Sequence, residues 1–490
     1  MNIKTSLAYL PHTTTTTHLY NIIGDLAVRV DVHANPYHLP LETLFQMAAR
    51  VNKKRSFLFV SKVLGKHIPV DPCTSLLSGA SLALLYQQEL GGVVPLEVEG
   101  MLKAFQDPAY AQETYRQLKR TPMQLTERTL FIGFAETATA LGHSMYDMFS
   151  GPVHYLHTTR EHVAELETVI TFEEEHSHAT DHRCYALDPD SFERADTVVL
   201  VDDEMTTGKT SLNIIKALHA RFKHKRFFVA SLLDWRNVAD RQAFADLERE
   251  LDVTITCLSL VQGEIEVTGG PIERLMGGEE QGSVQGLAKG STVMVAHGAT
   301  QASAHDAAQD GAPALGENQE HVQNRVHFET YRIETIFDRL EATAKPYLRH
   351  TGRFGLFAAQ NARLDEHISA TAQKLRTLRN GARTLCMGTG EFMYVPMRIA
   401  AEMGQDVVYQ STTRSPIHPY VSDTYAVRYK ANYPSLEDPE VQNFMYNIPA
   451  DTYDDMFLFI ECEPSAERLE PLMEVLSQLR IPRINIVYFS

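Results

Sequence analysis

Cysteine is scarce and shows no pairing pattern. Five residues in 490, Cys73, Cys184, Cys257, Cys386 and Cys462, are scattered, odd in number and free of any C-x-x-C spacing. That usage excludes a disulfide frame and is expected of a reduced, cytoplasmic chain. No stretch approaches the roughly 18 consecutive apolar residues of a membrane span. Ahead of Thr17 the only apolar patch, residues 6–10, is too short for a signal peptide. An excess of positive charge is missing as well. Lys+Arg number 45 against 62 Asp+Glu, a net charge of −17. Such a balance argues against a general binder of nucleic acid or membrane surface, because neither partner welcomes further negative charge. What is present is ample apolar material, 44% hydrophobic with 22% charged, the composition of soluble globular proteins. A mostly disordered chain is thereby excluded.

At roughly 100–200 residues per domain the length predicts more than one domain. Residues 277–321 are rich in Gly, Ala, Gln, Ser and Asp, a composition that cannot offset the entropy of ordering its backbone. We therefore divide the chain into an N-terminal tail (1–20), a first domain (21–268), a linker or insertion (269–325) and a smaller second domain (326–490). One apolar piece within the linker, 291–296, has the pattern of a strand. Both domains alternate short β-branched runs with amphipathic helices, which predicts α/β folds built on parallel sheets. In the first, strands are expected at 129–133, 153–157, 197–201, 227–233 and 254–260, with helices at 138–149, 209–222 and 240–251. In the second, strands are expected at 384–388, 406–410, 456–460 and 484–489, with a helix at 465–479.

Side by side, the two domains look alike. The first runs strand, Gly133-x-x-Glu136, helix, strand, Thr158-Thr159-Arg160; the second runs strand, Gly388-x-x-Glu391, helix, strand, Thr412-Thr413-Arg414. Any two parallel α/β units share strand–turn–helix spacing. With DTVVLVD at 196–202 echoed by DMFLFIE at 455–461, and a helix and last strand after each, the shared order at near-equal spacing favours a diverged internal duplication. It predicts the same strand order in both sheets, with Glu391 and Arg414 close together at adjacent strand ends.

The most specific segment is 198–210, VVLVDDEMTTGKT. A buried strand ends in two carboxylates and passes into a hydroxyl-rich loop that opens a helix. Backbone N–H groups at a helix start, joined by Thr206, Thr207 and Thr210, suit a phosphate, and Gly208 allows close approach. The adjacent carboxylates of Asp202 and Asp203 can accept hydrogen bonds from a vicinal diol, so one loop suits a ribose 5-phosphate. A Walker A loop would require glycine where Asp203 stands, and a carboxylate there repels a triphosphate. The segment resembles the 5-phosphoribosyl-1-pyrophosphate (PRPP) motif of type I phosphoribosyltransferases, with Lys209 at a place usually held by glycine.

That resemblance implies roles for other segments. The turn at Ala135, Glu136 and Thr137 corresponds to the pyrophosphate loop. Arg160 resembles the arginine that orotate-type members place near pyrophosphate, although as bare sequence it is equally a solvated surface charge. Residues 172–184, FEEEHSHATDHRC, correspond to a mobile catalytic loop carrying Glu175, His176 and His178. An inert loop is the competing reading, and zinc is a weaker one because these histidines sit close together among hard acids. Asp234, Trp235 and Arg236 fall where the family lines its base pocket; the single tryptophan of the chain suits stacking on a base or plain packing. The cation-dense 52–67 segment reads as a hood over the site or as a solvated face.

The second domain keeps the frame but replaces the phosphate loop with ECEPSAERL at 461–469, whose acids would repel a phosphate. Gly388, Gly390 and Glu391, with Thr413, Arg414 and Ser415, retain polar chemistry at strand ends, where open α/β sheets place ligands. The T-R-S-P run at 413–416 is the signature of the TRSP domain. A phosphoribosyltransferase followed by TRSP resembles a family found in bacterial tellurite-resistance gene clusters and thought to help make a nucleoside-like metabolite. The resemblance implies transfer between PRPP and a small base-like acceptor. Mg2+ would be carried on PRPP near Asp202 and Asp203 without dedicated protein ligands. It leaves a homodimer open. A PRPP-sensing or scaffolding protein without turnover is the rival reading.

Overall fold

The computed structural model describes residues 15–52, 55–93, 98–172, 182–270, 292–295, 326–333, 336–341 and 343–489. Alternating burial in Thr16–Ile23 (β1) and Leu26–Ala34 (β2) makes an antiparallel hairpin, so the first strand begins inside the expected tail. Phe45–Ala49 (β3) and Phe57–Ser61 (β4) pair antiparallel as a separate ribbon. The helix Pro72–Glu89 (α1) is buried on all sides except at its last two residues, which is why no amphipathic period marks it. Asp71 caps it by accepting a hydrogen bond from the Thr74 amide, 2.9 Å.

Alternating strands and helices follow: Thr129–Gly133 (β5), Ala138–Tyr146 (α2), Val153–His157 (β6), Thr197–Met205 (β7), Lys209–Phe222 (α3), Arg226–Asp234 (β8), Val238–Leu251 (α4) and Thr254–Thr268 (β9). The sequence-based expectations hold for these elements, with shifted ends. β9 outruns its expected end because, beyond its parallel pairing with β8, it pairs antiparallel with β2. The expected 138–149 helix stops at Tyr146, and Phe149 belongs to a short bridge with Met123.

The second part contains Thr292–Val295 (β10), His327–Arg332 (β11), Leu356–Phe357 (β12), Ala358–Arg376 (α5), Thr384–Gly388 (β13), Tyr394–Glu402 (α6), Val407–Ser411 (β14), Tyr429–Pro434 (β15), Gln442–Tyr446 (β16), Asp455–Ile460 (β17), Ala466–Gln478 (α7) and Arg483–Tyr488 (β18). β10, the apolar piece of the expected linker, pairs antiparallel with β15.

The large sheet runs β1-β2-β9-β8-β7-β5-β6-β12, and the second runs β11-β18-β17-β13-β14. The parallel series β8-β7-β5-β6 and β18-β17-β13-β14 therefore have one order, as a duplication requires. The likeness reaches single hydrogen bonds. Tyr155 Oη donates to Thr139 O (2.6 Å) and Tyr409 Oη to Met393 O (3.0 Å). Ala135 N donates to Thr158 Oγ1 (2.8 Å), and Gly390 N to Thr412 Oγ1 (2.9 Å).

The two sheets are stitched together. β12, from the second part of the chain, extends the first sheet by pairing with β6. The β3 ribbon exchanges backbone bonds with the second domain, His418 N to Ala49 O and Ala426 N to Met47 O, both 3.0 Å. Between the helices, Asp147 is fully buried and neutralised by Lys119 and by Arg398 of α6 (3.3 Å), and Asn361 of α5 also donates to it (2.5 Å). Residues 1–333 expressed alone would leave Asp147 without Arg398 and strip the ribbon of its partners. We expect that fragment to lose the near-ultraviolet circular dichroism of the corresponding part of the full chain.

Candidate active site

β7 continues past its buried run Thr197–Val201 to Met205, so Asp202, Asp203 and Glu204 stand half-buried at the carboxyl end of the large sheet. The chain then turns through Thr206 and Thr207 into α3, with Gly208 at its N-cap in the left-handed region, φ 74°. A Cβ there would also sit 2.6 Å from the Phe244 ring, so this turn requires glycine twice over. Thr207 Oγ1 lies 3.4 Å from the Lys209 amide. This strand–loop–helix forms one wall of a cavity of about 940 Å³.

The other walls come from three places. The 135–137 turn after β5 lies beside Arg160, which follows β6; Arg50, Arg55, Lys66 and His67 descend from the ribbon and its flanks; and Thr413, Arg414 and Ser415 enter from the second domain. The cation-dense 52–67 segment is thus a hood in its described residues, with Arg55 2.5 Å from Glu204. Lys66 has almost no exposure and lies 3.0 Å from Glu136 Oε1. Burial alone would push the Glu136 carboxyl up, but Lys66, Arg160 and Arg414 outweigh it and hold it below the ordinary glutamate value. Lys66 itself is lowered, chiefly by burial. Burial also lowers His67 to about 3, so its ring is neutral at pH 7.

Desolvation raises Asp203 and Glu204, against the pull of nearby cations. A ligand that needs the ionised acids should therefore bind less tightly as pH falls, with a midpoint above the ordinary aspartate value of 3.8. Titrating the affinity for PRPP between pH 4 and 8 checks this. Among the described residues no three His, Cys, Asp or Glu side chains converge on a metal position. Two carboxylates beside a phosphate loop instead fit Mg2+, a cation commonly held by one or two protein carboxylates together with substrate phosphates and water.

Not every residue expected at the site is there. Trp235 is 2% exposed, stacked on Phe59 with ring centroids 5.1 Å apart, and Asp234 is fully buried in a bidentate pair with Arg236. None of the three lines the cavity, which corrects the base-pocket assignment: the strand end turns into the core beneath the ribbon. Glu175, His176 and His178 lie outside the described residues. Their neighbour His182 is buried against Thr158 Oγ1, 3.0 Å, and the Cys184 thiol is pushed up to about 12 by burial, unsuited to metal ligation.

The strand ends of the second sheet border a further cavity of about 470 Å³, lined by Gly390, Glu391, Arg353, Glu437 and Glu461 and sharing Glu136, Arg160 and Arg414 with the larger one. Gly388 is absent from it; the residue lies under Tyr409 Oη and Phe392 O. Glu391 and Arg414 follow adjacent strands and both line this cavity, but they make no ion pair with each other. The Glu391 carboxylate accepts instead from Thr159 Oγ1 (2.5 Å) and the Arg160 amide (2.8 Å) of the first domain, while Arg414 N points at Glu136 Oε2, 3.4 Å. Each acid caps the turn of the other sheet.

The family model described as phosphoribosyl transferase matches residues 44–264. A second, described as the TRSP domain C-terminal to that transferase, matches 350–476. The chain joins a phosphoribosyl transferase domain to a TRSP domain. Among solved structures, similarity is found to adenine phosphoribosyl transferase from Trypanosoma brucei in complex with AMP, pyrophosphate and ribose-5-phosphate. It has 18% identity and a TM-score of 0.23, covering 31% of this chain and 66% of that one. The Giardia lamblia enzyme complexed with 9-deazaadenine gives 16% identity and a TM-score of 0.21 over 33% and 84%. A hypoxanthine phosphoribosyltransferase from Staphylococcus aureus gives 11% and 0.16 over 35% and 69%. No curated protein matches the sequence. In the phosphoribosyltransferase domain the PRPP motif, the 135–137 turn and Arg160 meet in one cavity, and the TRSP motif borders it. No helix among the described residues is long and apolar enough to cross a membrane.

Proposed function

We propose that this chain transfers the 5-phosphoribosyl group of PRPP to a small base-like acceptor, or runs the reverse reaction. The observation that carries the reading is the gathering of Asp202, Asp203 and the Thr206–Thr210 phosphate loop opposite the 135–137 turn in one cavity. The 5-phosphate would accept hydrogen bonds from the loop and the start of α3, with Lys209 adding charge. Asp202 and Asp203 would accept from the ribose hydroxyls. In the transfer, the bond from C1 to the pyrophosphate oxygen breaks, a bond from C1 to an acceptor nitrogen forms, and the acceptor gives up its proton. Positive charge grows on the ribose ring and negative charge on the departing group. The carboxylates favour the first, and Lys66 and Arg160 favour the second. When bound on PRPP beside Asp202 and Asp203, Mg2+ would supply further neutralisation of the phosphates.

On the family resemblance, the product belongs to the biosynthesis of a nucleoside-like metabolite linked to tellurite stress, in the cytoplasm. Release of pyrophosphate from PRPP and Mg2+, screened against a library of bases, tests the reading. PRPP binding without release under any acceptor would favour the sensing role. No binding at all would overturn both.

A further inference from the structure

Arg414 occupies an unusual electrostatic position. It comes from the TRSP motif, yet it lines the cavity of the phosphoribosyltransferase domain together with Asp202, Asp203 and the phosphate loop. Its amide is directed at Glu136, but its guanidinium makes no hydrogen bond or ion pair among the described residues. The side chain is half-buried, so it has lost part of its hydration without gaining a partner. Its charge acts through space on Glu136, as do the charges of Lys66 and Arg160. Three cations therefore surround one carboxylate at this end of the cavity, and that carboxylate is already engaged by Lys66 at 3.0 Å. Arg414 also borders the neighbouring cavity with Glu391 and Glu437, but makes an ion pair with neither, so its guanidinium stays available to a ligand. The other end carries the 206–210 loop, with Asp202 and Asp203 between. Such a cavity suits a ligand anionic at both ends with hydroxyls in the middle.

We propose that Arg414 is a binding residue for the pyrophosphate group of PRPP, so that the TRSP domain completes the phosphoribosyltransferase site within one chain. The inference rests on the PRPP reading above and goes beyond it by assigning the second domain a direct part in the site. The exchange of turns supplies the positioning: Glu136 holds the Arg414 backbone, and Glu391 holds that of Arg160. The two arginines are thereby presented to the same space from opposite domains, and both line the cavity. A guanidinium can bind a phosphate through two parallel hydrogen bonds, which an ammonium cannot reproduce.

The test compares wild type with Arg414→Ala and Arg414→Lys in the full chain. Calorimetry is run with PRPP and Mg2+ and, separately, with ribose 5-phosphate, which lacks the pyrophosphate. Arg414→Ala should weaken PRPP roughly 10- to 100-fold, the range for a hydrogen bond to a charged group. Ribose 5-phosphate affinity should change less than about two-fold, the melting temperature should stay put, and Arg414→Lys should restore part of the loss. Unchanged PRPP affinity in Arg414→Ala would overturn the proposal while leaving the PRPP reading intact. Equal loss of both ligands with a lowered melting temperature would make Arg414 structural and also overturn it. A wild type that binds neither ligand would remove the PRPP reading itself.

Discussion

Replacing Asp202 and Asp203 together by asparagine is expected to weaken PRPP binding by roughly 100-fold or more. A hydrogen bond to a charged group contributes about 1.5–3 kcal/mol, and this change alters the two carboxylates best placed to receive the ribose hydroxyls. The fold should survive. Both side chains stand at the cavity wall beyond the buried run of their strand. The bond from the Asp203 amide to Asp202 Oδ1, 2.9 Å, is one an asparagine oxygen can also accept. Desolvation already raises Asp203, so removing its charge should leave the melting temperature level or slightly higher. Calorimetry with PRPP and Mg2+ beside a thermal melt reads both quantities. Unchanged affinity would mean that the ribose is held elsewhere.

The parts of this architecture legible in the sequence were those in which neighbouring residues share one task. The five-residue run Thr129–Gly133 is buried throughout, as a parallel strand covered on both faces must be, and its bounds were expected exactly as observed. The 202–210 loop was legible for the same reason, since acids, hydroxyls and glycine lie consecutively. Helix α1 was not, because burial on all sides erases the periodicity that marks a helix. Nor was Trp235, whose strand-end position fitted both a base pocket and the core. The choice between those depended on Phe59, a residue 176 positions away in the chain.

The partners of Glu391 and Arg414 are the most instructive. Spacing placed Glu391 near Arg414, and the strand order bears out the frame on which that rested. Sequence periodicity says nothing about a second sheet facing the first, however. Once two like sheets meet at their carboxyl ends, each acid accepts a backbone amide from across the interface. Glu391 takes the Arg160 amide and the Thr159 hydroxyl, leaving the Arg414 guanidinium unpaired among the described residues where it borders both cavities.

Arg353 sits at the centre of this exchange, and Arg353→Met is expected to be the most destabilising single change among these interface residues. Its guanidinium is 2% exposed, 2.6 Å from Glu461 and 3.7 Å from both Glu161 and Glu391. Methionine fills much of the same space but leaves buried carboxylates without their cation, a loss of about 3–5 kcal/mol for a broken buried pair. The pH dependence separates this cause from poor packing. Burial raises Glu461 even with Arg353 present, while Arg353 and Lys345 outweigh burial to hold Glu161 low. Without the guanidinium both should rise further. A carboxyl whose folded value is raised destabilises the native state as pH climbs through that value, and the penalty disappears once it is protonated. The stability gap between variant and wild type should therefore narrow as pH falls from 7.5 toward the ordinary glutamate value of 4.5, and Glu461→Gln added to Arg353→Met should recover part of it at pH 7.5. Thermal melts across that range decide the matter: a gap constant with pH, unaffected by Glu461→Gln, would show that Arg353 acts by packing, and that the carboxyl ends of the two sheets are not held together by charge.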